Sequence, residues 1–142
     1  MKAAHFYGFL TEEGTKQGVE CLNAALARDP NGAMAMAMLA NAVTQMIPHI
    51  MVEKSEDQVR AALELADRAV VHGPTIDFVY RTRANLKLWL LEDHQGSRAD
   101  CRRSLELNPM FHLTHLTLGT SEILSGQYEE GAERIAEFSR YL

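Results

Sequence analysis

An all-α fold, built as a stack of about eight helices, follows from three features of the 142-residue sequence. The composition is 46% hydrophobic and 23% charged and rich in Ala, Leu, Glu and Arg, without the alternating β-branched runs that strands require. Proline recurs at one kind of place, in ARDPNG, HGPTID and ELNPMF, each time just beyond an Ala/Leu-rich helical run. Proline cannot continue the helix it follows and suits the first turn of the next. The segment SLELNPMFHLTHLTLG and the earlier AALARDPNGAMAMAMLA repeat this arrangement. Pro30, Pro74 and Pro109 stand 44 and 35 residues apart, so the second spacing has the length of one helical hairpin and the first exceeds it by about ten.

These joints divide one domain, 1–142, into units 1–30, 31–74, 75–109 and 110–142, with an insertion near 45–57 in the second. The first unit is clearest in its second helix, through Gly18, Leu22 and Ala25. Its first helix, AAHFYGFL, is short. The second unit offers Met36, Leu39, Ala40 and Val43, then Ala62, Ala66 and Ala69. Between its helices Pro48 is expected to break or kink the chain, and Ser55 followed by Asp57-Gln58 reads as a helix start. The third unit has Ala84, Asn85 and Leu88, then Ser97, Cys101 and Ser104. The fourth has Leu118-Gly119, a turn at Gly126-Gln127-Tyr128, Gly131 and Ile135. Small residues let helix axes approach, so Leu at Ala62, Ala66 or Ser97 is expected to overpack the joint by about 1–3 kcal/mol.

This pattern resembles the tetratricopeptide repeat (TPR): a large residue, then Leu-Gly, then an aromatic on one helix, small residues on the next, and Pro at the close. His115 takes the large position of the last unit and Glu122 replaces the aromatic. In the third unit Arg81 is placed at the large position, a departure from the pattern. The set is also similar to the degenerate repeats of bacterial adenylate/guanylate cyclases and related transcriptional regulators. The resemblance implies a right-handed superhelical stack whose first helices line a concave groove that takes a peptide. The groove residues it implies are Met34, Ala37, Met38 and Asn41, then Val79, Thr82, Arg83 and Leu86, then Leu113, Leu116, Thr117 and Thr120. In relatives that clamp a terminal carboxylate, cations stand where Ala37, Thr82 and Leu116 are placed here, so that clamp is expected to be absent and the groove to be largely apolar.

Charge and chemistry bound the alternatives. A net charge of −5 opposes phosphate-backbone binding, and no nucleic-acid partner is expected. Residues 81–103 carry a local +3 and residues 104–142 a local −4, read as solvated faces. Residues 33–52 hold no formal charge, but Asn41, Thr44, Gln45, Pro48 and His49 argue for a buried helix and against a membrane span. The N-terminus lacks the pattern of a signal peptide. Cys21 and Cys101 are read as free, buried, cytosolic thiols.

His112 and His115 share a helix face, but no third metal ligand is placed by spacing. No nucleophile elbow or phosphate-cradling loop is present. Met34, Met36 and Met38 alternate and so spread around a helix, which makes part of the set core.

The expectation is therefore a non-catalytic, cytoplasmic, regulatory protein–protein interaction module without cofactor, binding a partner helix or peptide in the groove. The last unit is expected to end without a polar capping helix, and a self-associating unit that forms a homodimer through its groove or last helix is the alternative. A small-molecule sensor with its ligand near Pro48 and His49 is the third reading. Filling of the groove by the insertion is the structural counterpart to all three.

Overall fold

The computed structural model describes residues 12–50 and 55–141. Seven α-helices run through them: α1 Glu12–Arg28, α2 Ala33–Ile50, α3 Glu56–His72, α4 Asp77–Trp89, α5 His94–Leu107, α6 His112–Leu124 and α7 Tyr128–Phe138, then a 3-10 turn, Ser139–Tyr141. No strand occurs among the described residues. Helices α2/α3, α4/α5 and α6/α7 pair as hairpins, and each hairpin packs on the next. Helix α1 lies against α2. Its predicted partner, AAHFYGFL, lies outside the described residues.

Small residues sit where helices approach most closely. Ala40 on α2 meets Ala62 and Ala66 on α3, and Ala84 on α4 shares a cluster with Cys101 on α5; all are at most 1% exposed. In the last hairpin Gly119 and Gly131 face each other so closely that a Cβ on Gly131 would lie 2.5 Å from the Gly119 carbonyl oxygen. Each added methyl at such a contact must displace backbone. Larger side chains fill the space beside these contacts: Met36, Val79 and Leu86 are fully buried.

The joints are built alike. The Tyr80 hydroxyl donates to the Pro74 carbonyl (2.9 Å), and His115 Nε2 donates to the Pro109 carbonyl (2.7 Å). Each ring therefore satisfies a carbonyl orphaned at the proline six residues upstream. Counting six from Pro30 gives Met36, the buried residue of the second unit. This equivalence corrects the register of the third unit: Tyr80, not Arg81, is its large residue, and every position assigned on α4 from Arg81 moves back by one.

Of the two outcomes expected at Pro48, a break does not occur. Helix α2 does not end at Pro48 but continues to Ile50. The proline falls in the last turn, where only two further residues depend on the ladder it interrupts. Part of the extra length is thus helix, and residues 51–54 lie outside the described set. Ser55 caps α3 as predicted: its hydroxyl accepts from Gln58 N–H (3.2 Å) while Gln58 Oε1 accepts from Ser55 N–H (3.0 Å).

The α4–α5 and α6–α7 turns each contain a left-handed residue, Glu92 (φ 52°) and Gly126 (φ 93°). Glycine adopts that region freely and glutamate does not. Glu92→Gly is expected to raise the unfolding free energy by about 1 kcal/mol in urea denaturation, the reverse of the usual effect of introducing glycine.

Candidate functional site

Seen from the hairpins, α2, α4 and α6 form one layer and α3, α5 and α7 the other. Across the inner layer runs a hollow of about 300 Å³, lined by Asn41, Arg81, Asn85, Trp89, Leu113, Leu116, Thr117 and Thr120. Five predicted groove residues therefore come together: Asn41 from α2, and Leu113, Leu116, Thr117 and Thr120 from α6. Met34 and Met38 are exposed, at 44% and 38%, and share the helical face of Asn41 without lining the hollow. Met36, between them, is core.

The third unit's predicted set is corrected. Val79 and Leu86 are fully buried and Thr82 is 1% exposed, so none faces the hollow. Arg83 points to the other layer, where it ion-pairs with Asp100 and Asp67. One residue on an α-helix is a rotation of about 100°, which is why a single-residue register error exchanged lining for core. The residues that line the hollow from α4 are Arg81, Asn85 and Trp89, at i, i+4 and i+8. A cation thus stands where Thr82 had been placed, and the hollow is not uniformly apolar.

Polar order in the hollow is partial. The Thr117 hydroxyl donates to Asn85 Oδ1 (3.1 Å), and the Thr120 hydroxyl donates to the Leu116 carbonyl (2.9 Å). Trp89 remains 58% exposed. Arg81 lies over the rings of Phe78 and Phe111, at 4.8 and 4.4 Å from their centroids. Its Nε is buried without a hydrogen-bond partner. Burial pushes the Arg81 guanidinium below its ordinary range, and the charge of Asp77 opposes that shift.

The other inward charges are neutralised between the layers. Asp100 accepts from Arg83 Nε and Nη2 and from Lys87 Nζ, all at 2.8 Å. The Asp100 contact, with burial opposing and Asp67 assisting, raises the Arg83 pKa. In the fourth unit Glu122 accepts from Arg134 Nε and Nη2 at 3.0 and 3.1 Å. The two pairs are mirror images: the acid is on α5 in one unit and on α6 in the other. Asp100 is already counted in the local +3 of residues 81–103, and Asp67 on α3 meets one of those three remaining charges from outside the segment. The local −4 is displayed on α7, whose outward residues include Glu129, Glu133 and Glu137. That face is polar, contrary to the expectation that the last unit lacks a polar cap.

His115 cannot serve as a metal ligand in this arrangement. Nε2 is bonded to Pro109, Nδ1 accepts from Arg134 Nη1 (3.2 Å), and the ring stacks on Phe138 at 3.6 Å. No cluster of three metal-binding side chains occurs among the described residues, nor is any described helix long and apolar enough to cross a membrane.

Cys101 is buried, and burial pushes its thiol up to about 12. Cys21, predicted to be buried, is exposed because α1 packs through Leu22 and Leu26, on a different face. A maleimide or disulfide reagent is therefore expected to titrate one thiol in the native protein and the second only on unfolding. The small contact expected at Ala25 is also exposed.

The architecture has counterparts among solved structures. A thermophilic TPR protein of Thermus thermophilus superposes with a TM-score of 0.72 at 17% identity, over 93% of this chain and 65% of its own. MamA superposes with a TM-score of 0.68 at 15% identity, over 92% of this chain and 70% of its own. A second MamA structure gives 0.66 at 15% identity, over 87% and 62%. The chain thus spans about two thirds of the length of these structures. No protein-family model and no curated protein matches it. The fold is that of a right-handed TPR-like superhelix.

Proposed function

We propose that the protein is a regulatory, non-catalytic interaction module that binds a segment of a partner protein across α2, α4 and α6. The observation that carries this reading is the hollow itself. It combines exposed Trp89 and the Leu113–Leu116 wall with the amides of Asn41 and Asn85. Tryptophan flanked by oriented polar groups is the composition of binding hot spots, and its burial by a partner removes a large apolar area from water. The TPR-like neighbours support a protein as the occupant. The sequence resemblance to cyclase-linked repeats supports a regulatory setting.

Side chains of residues 45–50, and all of residues 51–54, lie outside the described set. The sensor site expected near Pro48 and His49, and the filling of the groove by the insertion, both fall on these residues. The polar α7 face weighs against a dimer formed through the last helix, because like charges would meet.

A photo-cross-linking amino acid at Thr117, used in cells of the protein's source, tests the reading. Cross-links to a second protein are expected, and Leu116→Lys should abolish them. The same group at outward-facing Arg102 should yield none. Cross-links confined to position 102 would move the site to the outer layer. Cross-links from 117 only to another copy of the chain would put the self-associating reading first.

A further inference from the structure

Arg81 gives the groove reading a chemistry for its occupant, which rests on that reading. Arg83, Lys87 and Arg134, cations turned in between the two layers, each have a carboxylate. Arg81 has none among the described residues, although it lines the hollow and its Nε is buried. The Arg81 guanidinium carbon lies over the Phe78 and Phe111 rings, and its buried Nε–H has no acceptor among the described residues. A buried donor without an acceptor is costly, and guanidinium N–H pairs match the two oxygens of a carboxylate. We propose that the partner segment carries an Asp or Glu side chain that Arg81 receives in the hollow, beside an apolar residue that covers Trp89.

Three features fix this chemistry. Among the described residues Arg81 is the one unpaired cation that lines the hollow, which suits a single monoanion. A dianionic phosphate would also face Asp77, whose charge already acts on Arg81, and a chain of net charge −5. Arg81 and Trp89 are eight residues apart on α4, which separates them along the axis by about 12 Å. The partner's acid and its apolar anchor are therefore about 12 Å apart: about two turns if it binds as a helix, or three to four residues if extended.

The test is selection of a displayed library of random 16-residue peptides on the intact chain, followed by anisotropy with the enriched peptides. Enrichment of Asp or Glu at one position, with an aromatic or Leu at the stated spacing, is expected. Replacing that acid by its amide should weaken binding about ten- to hundredfold. Arg81→Gln should erase the difference between acid and amide while leaving the helical circular dichroism unchanged. Arg81→Lys should keep part of the preference, which a merely structural loss would not allow. Enriched peptides without an acidic position, or with one that Arg81→Gln does not affect, would overturn the proposal while leaving the groove intact. Peptides that bind Leu116→Lys and Trp89→Ala undiminished, or no enrichment at all, would overturn the groove reading itself.

Discussion

Arg134→Met is expected to lower the unfolding free energy by about 3–5 kcal/mol, because it strands a buried carboxylate. Glu122 is 3% exposed at its side chain and takes two hydrogen bonds from this guanidinium. The same substitution removes the group that His115 Nδ1 accepts from, next to the stacked Phe138. A domain of this size has about 5–15 kcal/mol in total, so the loss would be visible as a large fall in urea midpoint. The third unit supplies an internal control. There the acid stands on α5, as Asp100, and a lysine on α4, as Lys87. The double change Glu122→Lys with Arg134→Asp copies that polarity and is expected to recover most of the stability, whereas Glu122→Lys alone should not. Simple additivity of the two single changes would mean that the pair is not coupled.

The second large effect belongs to Gly131. A Cβ there would lie 2.5 Å from the Gly119 oxygen, 2.7 Å from Ile123 Cγ1 and 3.0 Å from Ile123 N. Two of these atoms are backbone and cannot rotate away. Glycine to alanine within a helix normally gains about 0.5–1 kcal/mol; at this position separation of α6 from α7 outweighs the gain. Gly131→Val is expected to cost about 3 kcal/mol. The comparison is Gly96→Ala on α5, where the nearest obstruction is the Asp93 side chain that caps the helix. Substitution there costs a cap, about 1 kcal/mol, and leaves the hairpin packing intact.

The parts of this structure visible in the sequence are those with local causes. Pro74 and Pro109 mark joints, the Ser55–Gln58 box starts α3, and the Gly119–Gly131 contact follows from two small residues a hairpin apart. These require only neighbours in the chain. Leu118-Gly119 anchors the register of α6, and the four residues expected there, Leu113, Leu116, Thr117 and Thr120, all line the hollow. On α4 no such pair exists, since Arg83 and Ala84 stand in its place. Placing Arg81 at the large position rotates α4 by one residue, which turns Arg81, Asn85 and Trp89 away from the expected groove. The missing signal was available in the distance from each proline to its ring, six residues at both Tyr80 and His115. Pairing was less accessible. Arg83 was read as a ligand contact because nothing local shows that Asp100, across a hairpin, neutralises it. Cys21 was read as buried because its stripe is apolar, while α1 packs through Leu22 and Leu26.

Trp89 is the only tryptophan of the chain and lies in the hollow, so its fluorescence reports the central claim directly. The measurement is emission during titration with the acidic peptide selected on the intact protein, checked against binding by calorimetry. A blue shift that saturates at one peptide per chain, and that Leu116→Lys abolishes, is the predicted result. Full calorimetric binding with an unchanged Trp89 spectrum would place the partner outside the inner layer of helices and contradict the account.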